Sequence, residues 1–112
     1  MGLRNLPTDV ARTLTSLIDD AEPDRISSCS LTRLSDACQI TLLSFAAGES
    51  VSDEEYPADT MYYLLEGCAS ITFAQEGRAP VPLAAGEVFL VPAGVRHAVE
   101  PAGAIKLLQL SL

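Results

Sequence analysis

The stretch Gly86-Glu-Val-Phe-Leu-Val-Pro92-Ala-Gly94-Val-Arg-His97 spells a short apolar strand with both of its ends punctuated. Gly86 opens it, Pro92 and Gly94 supply its exit turn, and His97 stands on the returning strand. Proline donates no ladder hydrogen bond and glycine tolerates the left-handed backbone of a tight turn, so these residue types mark ends rather than middles. The same rhythm continues in both directions. Short β-like runs are predicted at residues 26–34, 39–46, 61–66, 68–74, 81–83, 87–91, 97–100 and 105–110, with turns at Gly67, Gly77, Gly86, Gly94 and Gly103. Many short strands at this spacing indicate an all-β sandwich or barrel.

Individual runs carry the period of two that a half-buried strand requires. Ala69, Ile71 and Phe73 alternate with Ser70, Thr72 and Ala74, which puts the larger apolar set on the interior face. By the same parity, Thr60, Tyr62 and Leu64 face inward and Tyr63 and Leu65 face away. Before residue 25 the period changes. Pro7 suits a first helical turn, and Val10, Leu14, Leu17 and Ile18 recur at helical spacing, so a short N-terminal helix ending near Asp20 is predicted. Residues 1–24 form this helix and lead-in, which packs on the barrel or on a partner; residues 25–112 form the barrel. A helix this short is marginal alone in water and needs a surface to lie on.

The chain has 112 residues, enough for one core, and is 48% apolar and 20% charged, as a packed globular protein is. Its net charge of −8 repels phosphate backbones and anionic membranes, so neither nucleic acid nor a membrane is an expected partner. The first twenty residues contain no unbroken apolar core of a leader, and no stretch approaches the ~18 apolar residues of a spanning helix, which reads as cytoplasmic. Cys29, Cys38 and Cys68 are widely spaced and pair with no local metal ligand, consistent with reduced thiols acting as small apolar residues.

The punctuated run at residues 86–97 resembles the second motif of the cupin family: Gly, five residues, Pro, any residue, Gly, two residues, His. Every position matches through His97, while Pro101 stands where the family often has Asn. Upstream, Gly48-Glu-Ser-Val-Ser-Asp-Glu54-Glu-Tyr56-Pro-Ala-Asp-Thr60-Met-Tyr-Tyr-Leu-Leu-Glu-Gly67 is similar in its frame to the first cupin motif. Its chemistry differs. Where the family pattern places His, His and Glu, this chain carries Glu54, Tyr56 and Thr60. The resemblance spans residues 44–112 and implies a double-stranded β-helix, the jelly-roll cupin barrel, preceded by the short helix.

In metal-dependent members, three histidines and a glutamate hold the ion. This chain has one histidine in all, so no cofactor is expected and the first motif reads as a degenerate metal site. If a divalent metal binds weakly, His97 and Glu54 are its ligands. A slip of one residue would instead turn Asp53 and Glu55 inward, with Asp53, Glu54 and Glu55 offering oxygen ligands beside His97. The candidate pocket is His97, Glu54, Tyr56, Thr60 and Tyr62; no catalytic residue is assigned among them.

Three functions stay open, because this scaffold hosts many activities. One is a metal-free barrel that binds a small molecule or regulates. Another is a divergent isomerase or lyase using His97 with Glu54 or Tyr62 as acid and base, with or without a weakly held metal. The third is a structural dimer with no working pocket. A C2 homodimer is expected in each case, built on Tyr63, Leu65, the N-terminal segment and the leucine-rich end at residues 107–112.

Overall fold

The computed structural model describes residues 2–112, and the side chains of all of these except Ser52 and Asp53. Among the described residues nine strands follow in order: β1 (Ile26–Ser30), β2 (Gln39–Phe45), β3 (Val51–Glu54), β4 (Thr60–Glu66), β5 (Cys68–Phe73), β6 (Val81–Ala84), β7 (Val88–Val91), β8 (His97–Pro101) and β9 (Ile105–Ser111). They form a five-stranded sheet in the order β1-β2-β9-β4-β7 and a four-stranded sheet in the order β3-β8-β5-β6. All ladders are antiparallel. The predicted all-β jelly-roll barrel is therefore the observed fold.

Alternation places the core between the sheets. On β4, Thr60, Tyr62 and Leu64 are buried while Met61, Tyr63 and Leu65 lie half-buried on the outer face. Phe45, Leu64, Ala69, Ile71, Leu83, Val91, Val99, Ile105 and Leu107 pack with Tyr62 into one interior cluster. Burying each large aliphatic side chain contributes about 1.5–3 kcal/mol, so this filling fixes the register of both sheets.

Two elements differ from the sequence reading. The predicted helix is a single 3-10 turn, Leu14–Leu17, closed by the Ser16 amide and hydroxyl on the Thr13 carbonyl at 3.1 and 2.7 Å. Upstream of it Asn5 and Asp9 both adopt φ of 61°, a left-handed backbone that stops an α-helix from running through Val10. Burial explains the helical spacing of the leucines. Leu6, Leu14, Leu17 and Ile18 pack on Ile40, Leu42, Leu65 and Leu108, on the outer face of the five-stranded sheet, and leave Leu42 with 0% exposure. Lys106 ties this segment down through the Thr15 carbonyl at 3.1 Å and Asp20 at 3.2 Å.

The second difference is β3. The sequence pattern predicts no β-like run between residues 46 and 61, yet Val51–Glu54 there forms an edge strand on β8. Val51 pairs with Val99 and Glu54 with His97, so two residues between these pairs oppose one and a bulge intervenes.

Candidate functional site

His97 sits at the end of the barrel because the turn before it is pinned. The Gly94 amide donates to the Tyr56 carbonyl at 2.8 Å and the Ala93 amide to Asp59 Oδ1 at 2.9 Å, which bolts the 92–95 turn onto the segment leading into β4. Gly94 has φ of 76°, the conformation this exit turn demands. His97 then opens β8 with 2% exposure, between Glu54 of β3 and Phe73 of β5 in the ladder.

Both ring nitrogens of His97 are engaged. Nδ1 lies 2.9 Å from the Val95 carbonyl, which can only accept, so Nδ1 carries the proton. Nε2 lies 2.7 Å from the Tyr62 hydroxyl, and in the neutral ring it accepts from that hydroxyl. The Tyr62 ring stands edge-on to the imidazole, with centroids 5.5 Å apart, and the Tyr56 ring lies 6.0 Å away, tilted. The result is a chain from half-buried Val95 through buried His97 to buried Tyr62, with half-buried Tyr56 above it.

The tyrosines are held neutral. Burial raises the Tyr56 phenol above its ordinary value; Gln109 opposes the rise and the Glu54 carboxylate reinforces it. Tyr62 is raised strongly, by burial first and then by Tyr56 and Glu54. Glu54 and Tyr56 are half-buried at the mouth, while Glu55 points outward to Arg96 at 3.7 Å. The frame that turns Glu54 and Tyr56 inward is thus the one adopted; the Asp53 side chain lies outside the described residues.

Of the five residues singled out in the sequence, the structure brings His97, Tyr62, Tyr56 and Glu54 together. Thr60 is inward and 1% exposed, but its hydroxyl meets Ser111 at 3.1 Å rather than the histidine. Residues not anticipated complete the end of the barrel. Gln109 faces Tyr62 across the β4–β9 ladder, and Phe73 and Phe89 pack at 6.0 Å between centroids. Arg78, from the β5–β6 loop, lies 3.5 Å over the Phe73 ring. The alternation of Ala69, Ile71 and Phe73 signals Phe73; the others depend on strand register, which no local pattern carries.

The donor set does not fit the metal centre that the cupin resemblance implies. A metal at His97 needs a ring lone pair, and Nε2 has given its own to Tyr62 while Nδ1 is protonated toward Val95. Among the described residues no three His, Cys, Asp or Glu side chains group to hold an ion. Shallow surface hollows among the described residues are lined by other residues, such as Ser44 and Lys106, Arg4 and Arg33, or Thr32 and Cys38. None of the helices among the described residues is long and apolar enough to cross a membrane.

No family model matches the chain, and no curated protein matches it. Solved structures do. A cupin superfamily protein from Desulfitobacterium hafniense is 44% identical, with a TM-score of 0.90, over 98% of this chain and 96% of its own. A conserved protein of unknown function from Streptococcus pyogenes is 28% identical, with a TM-score of 0.88, over 100% of this chain and 94% of its own. The DMSP lyase DddQ from Ruegeria pomeroyi is 26% identical, with a TM-score of 0.68, over 79% of this chain and 47% of its own. Identity and superposition of this extent, along nearly the whole length of the first of these, make the chain a member of the cupin superfamily.

Proposed function

We propose that this cupin is a metal-free barrel that binds a small molecule, as a sensor or regulator, through Glu54, Tyr56, Tyr62 and His97. The observation that carries the reading is the double engagement of the imidazole, by Val95 at 2.9 Å and Tyr62 at 2.7 Å. A histidine serving as a ligand keeps one lone pair for the metal. This one uses its lone pair to orient a tyrosine. The half-buried carboxylate and phenol above it are the kind of convergent polar groups that fix a small ligand at the end of an apolar barrel.

Elemental analysis of tag-free protein, followed by thermal-shift series with Mn, Fe, Ni, Cu and Zn and then with a metabolite collection, tests the reading. Sub-stoichiometric metal, no metal-induced shift, and a metabolite that raises Tm in the wild type but not in His97→Ala are the expected results. Stoichiometric metal that is lost in His97→Ala overturns it and turns the search toward metal-dependent chemistry.

The short Tyr62–His97 contact favours a second reading, a divergent lyase or isomerase. A phenol that donates to an imidazole can pass a proton to it while taking one from a bound substrate, which is general acid–base work. The likeness to a DMSP lyase supplies an enzyme precedent on this scaffold. On this reading any turnover found with the metabolites disappears in both Tyr62→Phe and His97→Ala, and turnover that survives both excludes the pair as its source.

We also propose a C2 homodimer. Val88 and Leu90 of β7 are 59% and 57% exposed on the outer face, next to Met61 and Tyr63 of β4. Leu65, expected at such an interface, is instead packed against the chain's own N-terminal segment. Light scattering should give twice the chain mass for the wild type and the chain mass for Leu90→Glu; a monomeric wild type removes the proposal.

A further inference from the structure

The barrel end carries two opposite charges that form no ion pair among the described residues: Glu54 on the strand beside His97, and Arg78 over Phe73 of the strand on its other side. In the four-stranded sheet Glu54 pairs with His97 on one side and Phe73 pairs with it on the other. Residues opposite one another on an antiparallel ladder share a face, so the carboxylate, imidazole and phenyl ring all point to the barrel interior. Two strand spacings separate Glu54 from Phe73, about 10 Å across the sheet. The Arg78 guanidinium stacks on that phenyl ring at 3.5 Å. Stacking uses the flat face of the cation and leaves its N–H edges available for a planar anion.

Among the described residues neither charge is neutralised by an ion pair. Among the described residues the ion pairs are Arg25–Glu22, Arg96–Glu55, Lys106–Asp20 and Lys106–Glu66, and none includes Glu54 or Arg78. Arg96, the other arginine near the turn, is already turned outward onto Glu55. Between the two charges lie ring surfaces: Tyr56 over His97 near the carboxylate, and Phe73 packed on Phe89 beneath the guanidinium.

We propose that the ligand of this barrel is a zwitterion of amino-acid type, with its ammonium held by Glu54 and the Tyr56 ring and its carboxylate by Arg78. The assignment rests on the reading of the barrel end as a small-molecule site and adds the ligand's charge pattern. An ammonium beside a carboxylate and an aromatic face is attracted by both, and a carboxylate matches the forked donors of a guanidinium. The spacing selects a molecule whose two charges stand several bonds apart. A simple anion would meet Glu54, and a simple cation would leave Arg78 without a partner.

The test is a titration of isotope-labelled protein, followed by amide shifts and by Tm. The probes are 4-aminobutanoate, its two half-molecules butylamine and butanoate, the neutral butanol, and the length series glycine, 3-aminopropanoate and 6-aminohexanoate. The ω-amino acids with separated charges should move amides at Glu54, Phe73 and Arg78, and bind at least about tenfold more tightly than either half-molecule, the factor that one charge-assisted contact supplies. Glu54→Gln and Arg78→Ala should each remove that advantage, and Arg78→Lys should restore part of it. Glu55→Gln and Arg96→Gln, which change charge outside the barrel, should leave it intact.

Binding of butylamine, butanoate or butanol equal to that of the zwitterions overturns the charge pattern while the small-molecule reading stands. A metabolite that binds in a His97-dependent way but bears only one charge has the same meaning. If the amides at the barrel end respond neither to these probes nor to the metabolite collection, the zwitterion and the small-molecule reading fall together.

Discussion

The two segments that bracket the site, residues 48–67 and 86–97, hold the same backbone frame with different chemistry. The second retains glycine, proline, glycine and histidine at fixed offsets, and its turn is pinned by Gly94 on Tyr56 and Ala93 on Asp59. The first retains its closing glycine while Glu54, Tyr56 and Thr60 occupy the positions that carry metal ligands in relatives of the metal-dependent kind. Glycines serve the backbone and cannot be replaced without moving it, whereas an inward side chain can change identity as long as its volume and hydrogen bonds are accommodated. A barrel can therefore keep its shape while its chemistry turns over.

The sharpest way to break this comparison is to challenge one frame glycine in each segment. Gly67 is the hinge of the β4–β5 hairpin, at φ of 88°, and a Cβ there would stand 2.6 Å from the Ala104 carbonyl oxygen and 2.8 Å from Ile105 Cγ2. The oxygen belongs to backbone and cannot swing aside. Gly67→Ala combines backbone strain with overpacking and should cost about 3 kcal/mol, seen as a Tm loss of roughly 12 °C or more. Gly94 is equally left-handed, but nothing lies within 4 Å of its Cβ position. Gly94→Ala should cost about 1 kcal/mol, or roughly 4 °C. Equal losses would mean that φ alone matters and that close approach at Gly67 contributes nothing.

Next in size is the hydrogen bond that joins the segments. Tyr62→Phe removes the donor to His97 Nε2 and leaves a buried acceptor unpaired, which should lower stability by about 1–2 kcal/mol in chemical denaturation. A change within error would show that the imidazole finds another donor at once, and that its orientation is not set by the tyrosine.

The two phenols give the comparison a pH axis. Tyr56 and Tyr62 are both raised, so the folded state keeps their protons where the unfolded chain, with phenols near ~10, begins to lose them. Their contribution is fully present below about pH 10 and declines as pH rises through and above that value, because the unfolded state then ionises first. Unfolding curves measured across that range should show a falling limb that flattens in Tyr62→Phe and, less, in Tyr56→Phe. A limb unchanged by both substitutions would place its cause elsewhere in the chain.

What the sequence disclosed follows the same division. Strand positions, the facing of Tyr62 and Leu64, and the turn before His97 were readable because each rests on a local period or on a residue with few conformations. β3 escaped notice because acidic side chains mask its pattern and a bulge breaks its pairing between Val51 and Glu54. The N-terminal leucines have helical spacing, yet they reach the sheet from irregular backbone, since what they need is a surface rather than a helix. Arg78 over Phe73, and Gln109 opposite Tyr62, join residues from different strands or loops; only the completed register brings them together.

The smallest effect belongs to the neighbouring charges Glu55 and Arg96, one from each segment. They meet at 3.7 Å on the outside of the barrel, with side chains 50% and 57% exposed. Water screens such a pair, and ordering two long side chains offsets much of the attraction, so a double-mutant cycle of Glu55→Ala and Arg96→Ala should give a coupling of about 0–0.5 kcal/mol that vanishes in high salt. A larger coupling, resistant to salt, would make this pair a clamp between β3 and the turn before His97. The placing of Glu54 would then depend on Glu55 beside it as well as on the ladder, and the first segment would owe its frame to chemistry after all.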